Sequence, residues 1–149
     1  TTEIKIGKHV FTLSSANPRL DMRIKTYATK EPETLQWIDE FEKGSVLWDI
    51  GANIGLYSLY AAKSRQCRVI AFEPSVFCLE FLARNIWMND LQNLVSIVPN
   101  PLSNETKINF LPQTVPSVFS RFVFRTVFYN SRVFQRNTIV LSNDKCLSF

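Results

Sequence analysis

The sequence predicts an α/β protein built on the βαβαβ half of a doubly wound parallel sheet. Three observations carry this. Three apolar runs of strand length, SVLWDI (45–50), CRVIAFEP (67–74) and LVSIVP (94–99), read as strands buried on both faces. Segments of helical period separate them, as the crossovers between parallel strands require. Two of the chain's four glycines, Gly51 and Gly55, stand together where the first run ends, although glycine costs backbone entropy wherever it is placed.

A chain of 149 residues suits one domain with its own core. Uninterrupted apolar stretches are all too short for a membrane span, so none is expected. The start, TTEIKIGKHVF, has neither a signal pattern nor an initiator Met, so a trimmed chain or a fragment is expected. Cys67, Cys78 and Cys146 form no CxxC, which favours reduced thiols and a cytoplasmic location over a disulfide framework or a zinc site. One histidine and scattered acids give no expected metal-ligand set. Residues 1–106 carry 11 Lys+Arg against 12 Asp+Glu, whereas residues 107–149 carry 6 against 1. The basic character belongs to the tail, so the net charge of +4 is no argument for nucleic-acid binding by the whole protein.

Along the chain, EIKIGKHVFTLSS reads as a hairpin around Gly7–Lys8, and MRIKTYA, after Asn17–Pro18, as another strand, making residues 1–30 an N-terminal strand segment. KEPETLQWIDEFEKG is a helix: Pro32 suits its first position, Glu31 and Glu33 its positive end, and Gly44 the left-handed cap. Leu35, Ile38 and Phe41 give it an apolar face. IGLYSLYAAKS continues as a helix after the glycines. Ser75 caps a third helix, SVFCLEFLARNIWMN, with Leu79, Leu82, Ala83 and Ile86 on one face and Asn89–Asp90 at its end. Residues 31–111 thus form the core unit, with TKINFLP as one further strand. Residues 112–149 hold no glycine and are crowded with Phe, Val, Arg and Ser; they lean toward strand but take no assignment.

In an open parallel sheet, ligands bind at the carboxyl ends of strands beside the switch point, and Asp49-Ile-Gly-Ala-Asn-Ile-Gly55 sits at such an end. Gly51 lets the chain turn off the strand, Asn53 tolerates the left-handed conformation, and Gly55 lets the helix start close to its surroundings. The free N–H groups of that first turn are expected to face a ligand. A dinucleotide fingerprint would require glycines at 51, 53 and 56, where the chain has Gly51, Asn53 and Leu56. The methyltransferase-type pattern acid-x-G-x-(G/N)-x-G is met in full by Asp49, Gly51, Asn53 and Gly55. Glu73 ends the second strand, where a carboxylate can accept both ribose hydroxyls of a nucleoside, whether from NAD or from S-adenosyl-L-methionine (SAM).

LWDIGANIGLYSLYAA, VIAFEPSVFCLEFLARNIWMN and VSIVPNPLSN closely resemble the FkbM-type family of SAM-dependent methyltransferases, over roughly residues 20–110. The resemblance implies a Rossmann-like class I methyltransferase fold, SAM as cofactor, and methyl transfer to an oxygen of a small molecule or glycan. It implies that Asp49, Gly51, Asn53 and Gly55, with Ala52 among them, form the SAM loop. Glu73 would bind the ribose, Pro74 and Ser75 would border the adenosine, and Asn100, Pro101, Leu102 and Ser103 would lie against the adenine. Members of the family continue into a strand ending in D-x-E-G or D-x-D-G, and this chain has no such segment. The sheet is therefore expected to be incomplete, through truncation, divergence or a frameshift near Asn109–Pro112. A homo-oligomer can complete such an edge. No catalytic residue is assigned: His9 falls in the hairpin, and Asp49 suits orienting the loop or the methionine amine. The rival readings are a non-catalytic SAM-binding remnant, a nicotinamide-dependent oxidoreductase, and a basic, Phe-rich tail acting on nucleic acid or anionic membrane.

Overall fold

The computed structural model describes residues 1–14, 18–30, 32–101, 138–142 and 145–148. Strands β1 (Thr2–Ile6) and β2 (His9–Leu13) form the antiparallel hairpin, turning at Gly7, whose φ is 56°. Phe11 and Leu13 of β2 enter the core.

The next segment departs from the sequence reading. Helix α1 (Pro18–Lys30) stands where MRIKTYA predicts a strand. Leu20, Ile24 and Tyr27 are buried at helical spacing, whereas Met22 is exposed, so the alternation of MRIK does not decide the outcome. Pro18 at the helix start and Asp21 in its first turn suit the positive end of the dipole. Helix α2 (Pro32–Asp39) begins at Pro32, buries Leu35 and Ile38, and is followed by Gly44 at φ 79°, whose N–H donates to Arg65 O.

Strand β3 (Val46–Ile50), helix α3 (Leu56–Arg65), strand β4 (Arg68–Phe72), helix α4 (Val76–Met88) and strand β5 (Val95–Val98) follow in alternation. Strands β6 (Thr138–Ser142) and β7 (Lys145–Ser148) lie in the tail that the sequence left unassigned. The sheet order is β5-β4-β3-β6-β7, with β7 alone antiparallel to its neighbour. Leu47 of β3 faces Val69 of β4 in register, and both are buried with Leu59 of α3 and Leu82 of α4. Each such side chain stabilises the fold by roughly 1.5–3 kcal/mol. The topology is that of a Rossmann-like sheet: β3 has β4 on one side and β6 on the other, so the strand order reverses at β3, the place where ligands bind in open sheets of this kind. TKINFLP lies outside the described residues. Among the described residues, no helix is long and apolar enough to cross a membrane.

Candidate functional site

At the end of β3 the chain hooks onto the end of β4. The N–H groups of Gly51 and Ala52 both donate to Phe72 O, at 2.8 and 3.0 Å. Three of the next residues take the left-handed conformation: Gly51 at φ 79°, Asn53 at 54° and Gly55 at 87°. The Gly55 N–H closes the loop onto Ala52 O at 2.8 Å, and a Cβ on Gly55 would collide with Leu82 Cδ1 of α4. Gly55 therefore permits close approach of loop and helix α4. In the loop before α3, the N–H groups of Gly51, Ala52, Asn53 and Gly55 are all engaged within the protein.

Two buried acids flank the loop. Asp49 Oδ2 accepts the Ser58 hydroxyl at 2.5 Å, and the carboxylate also accepts the Ser58 N–H. Ser58 is the third residue of α3, so Asp49 caps that helix from the neighbouring strand, which Gly55 cannot do. Burial pushes the Asp49 pKa up to about 6, against the pull of the two Ser58 bonds, and the charge of Glu73 pushes the same way. Glu73, beyond the end of β4, accepts the Asn53 N–H at Oε2 (2.7 Å) and the Ser75 N–H at Oε1 (2.8 Å). Burial raises its pKa too, and those two N–H bonds oppose the rise. Ser75 takes the N-cap position of α4 in an extended conformation, but its hydroxyl makes no capping bond, contrary to the sequence reading. Its N–H is anchored by Glu73 instead.

The loop itself carries a buried acceptor without a partner, Asn53 Oδ1. An unpaired polar atom removed from water is costly. Pro74 is half-buried beside Glu73; Asn100 and Pro101 are exposed, and Leu102 lies outside the described residues. His9 in β2 has Lys8, Lys63 and Asp39 as charged neighbours, and its pKa is lowered chiefly by burial.

Sequence reasoning missed three supporting residues. Ser58 gives no signal beyond its place in the first turn of α3. Tyr27, in the misread α1, donates its hydroxyl to Leu56 O at 2.9 Å at the start of α3. Asn85, wholly buried in α4, donates Nδ2 to Ile54 O at 2.8 Å. Its signal is a polar residue between Leu82 and Ile86 on the apolar face.

No protein-family model matches the chain. A stretch of 57 residues is 44% identical to Methyltransferase sdnD of Sordaria araneosa, covering 38% of this chain and 22% of that protein. The aligned stretch is thus about a fifth of that relative's length. Among solved structures, the precorrin-6y C5,15-methyltransferase of Geobacter metallireducens GS-15 aligns with TM-score 0.43 and 22% identity, over 60% of this chain and 44% of that one. An RNA methyltransferase of Salinibacter ruber, in complex with S-adenosyl-L-homocysteine, aligns with TM-score 0.44 and 19% identity, over 49% of each chain.

Proposed function

We propose that this chain is the cofactor-binding part of a SAM-dependent methyltransferase, acting on an oxygen of a small molecule or glycan. One observation carries the reading: at the sheet's switch point, Asp49 of β3 and Glu73 beyond β4 flank the glycine loop that carries the unpaired Asn53 Oδ1. The 44% identity to a methyltransferase over 57 residues supports it. SAM carries an ammonium and a sulfonium, and this donor set suits cations. Two buried acids supply negative potential in a low-dielectric setting, and Asn53 Oδ1 needs a donor.

SAM supplies an electrophilic methyl group on sulfur. The chain's own part is to hold and orient it. Asp49 fixes the start of α3, Glu73 fixes Asn53 and Ser75, and the free lone pairs of Glu73 remain for ribose hydroxyls. Positioning of this kind supplies much of the catalysis of an in-line displacement. Pro74 and Ser75 border the adenosine. The buried cysteines Cys67 and Cys78, not joined in a disulfide, suit a reducing, cytoplasmic setting.

The test is isothermal titration of S-adenosylhomocysteine into the chain, with NADH in parallel. Binding of the homocysteine compound alone supports the reading. Binding of NADH alone replaces it with the oxidoreductase reading, and binding of neither ends it.

A further inference from the structure

The N-terminal hairpin and the glycine loop lie far apart in sequence, yet one buried side chain touches both. Asn85 donates Nδ2 to Ile54 O at 2.8 Å, and its Oδ1 accepts the Ser14 N–H at 2.7 Å. Those partners fix the amide's orientation, because a carbonyl only accepts and an N–H only donates. One turn later Asn89 pairs with β2 as a neighbouring strand would. It accepts the Thr12 N–H at 3.1 Å and donates to Thr12 O at 2.7 Å and to Asn85 O at 2.8 Å. Lys63 of α3 donates to Val10 O at 2.7 Å, with its ammonium 5.2 Å from the Phe11 ring centroid. Backbone groups at Val10, Thr12 and Ser14, alternate positions along one edge of the hairpin, are thus taken by side chains of α3 and α4.

The other end of Asn85 meets the loop at its most constrained point. Ile54 lies between Asn53 and Gly55, both left-handed. Such a conformation at a residue other than glycine persists only where the surroundings hold it. Glu73 holds the Asn53 N–H, Leu82 closes the space behind Gly55, and Asn85, one turn past Leu82, holds the Ile54 carbonyl. If Ser14 withdrew, Oδ1 would be buried and unpaired, and the amide would no longer be aimed at Ile54.

We propose that Asn85 is a positioning residue for the glycine loop, and that through it docking of the N-terminal hairpin holds the S-adenosyl site in shape. The inference rests on the function proposed above, and its test separates the two. The full chain is compared with Asn85→Asp, which keeps the acceptor for Ser14 and loses the donor to Ile54. Ser14→Pro removes the hairpin's donor and leaves Asn85 itself unchanged. Ile38→Val, a wholly buried core change in α2, is the control for general destabilisation.

Each protein is titrated with S-adenosylhomocysteine below its melting transition, and amide hydrogen exchange is followed at Asn53 and Gly55. The expected result is roughly tenfold or weaker binding in Asn85→Asp and Ser14→Pro, with faster exchange at both amides and neither change in the control. Affinity within twofold of the parent in both folded variants overturns the proposal. A merely structural role would lower the melting temperature and leave the affinity of the folded protein alone. Reciprocity gives a readout without any variant: the homocysteine compound should slow exchange at Ser14 more than at Val69, and equal slowing counts against the link. If the parent chain binds no S-adenosylhomocysteine, the proposed function falls, and exchange alone decides on Asn85. Faster exchange at Asn53 and Gly55 in the two variants keeps its loop-positioning role, and unchanged exchange removes it.

Discussion

The backbone N–H of Asn53 donates to Glu73 Oε2 at 2.7 Å, while the other oxygen of the same carboxylate accepts the Ser75 N–H. One buried acid therefore ties the loop after β3 to the start of α4, before any ligand arrives. Glu73→Gln places an amide NH2 against one of those N–H donors. We expect a loss of about 1–3 kcal/mol from the unpaired group, seen as a melting temperature several degrees lower. An acid serving only ribose hydroxyls would accept this near-isosteric change without cost to the ligand-free fold. Thermal unfolding of the variant without ligand distinguishes the two.

Asp49 gives a pH signature whose sign can be worked out. Its pKa is about 6 in the fold, against 3.8 for an unperturbed carboxyl. Across that window the folded state keeps a proton that the unfolded chain has released. Stability from this group is therefore highest at low pH and falls as pH rises toward 6, by about 3 kcal/mol in all. Asp49→Asn cannot titrate, so its stability relative to the parent should rise from pH 4 to pH 7. Urea unfolding at stepped pH checks this, and a constant difference between the two proteins would contradict the assignment.

Gly55 and Leu82 form a testable steric pair. Gly55→Ala combines a left-handed φ of 87° with a collision at Leu82 Cδ1, and we expect a loss of about 2–4 kcal/mol. Leu82→Ala opens a cavity and destabilises by about 2–5 kcal/mol alone. The double variant should lose less than the two losses together, by about 1 kcal/mol, because the collision is gone while the strained φ remains. Strict additivity would mean that α4 gives way at no cost.

These features were not equally legible. The run VLWDI, the helix punctuation at Pro32, and the left-handed tolerance of Asn53 are local signals, and local chemistry was enough to read them. Helix α1 was misread because MRIK alternates over four residues, whereas the helical period emerges only across Leu20, Ile24 and Tyr27. β6 carries the β-branched stretch TIV, yet nothing local says that it pairs in parallel with β3 across a long intervening segment. The engagement of Glu73 by Asn53, 20 residues away, and of Asn85 by Ile54 and Ser14, 31 and 71 residues away, exists only once the elements have packed. Sequence placed Glu73 at the site and left its partners open.

The unpaired Asn53 Oδ1 separates backbone need from ligand need at one position. Glycine adopts φ 54° without strain, so Asn53→Gly should hold stability within about 0.5 kcal/mol of the parent. Alanine at the same φ should cost about 1 kcal/mol, because a Cβ resists the left-handed region. Both variants delete the buried acceptor, and with it the partner we assign to a ligand donor. S-adenosylhomocysteine should therefore bind several-fold more weakly to Asn53→Gly despite its intact fold, as titration calorimetry at matched stability would read. Parent-like affinity in that variant would mean that Asn53 is present for its φ alone, and that the site's cation is met by the two carboxylates without it.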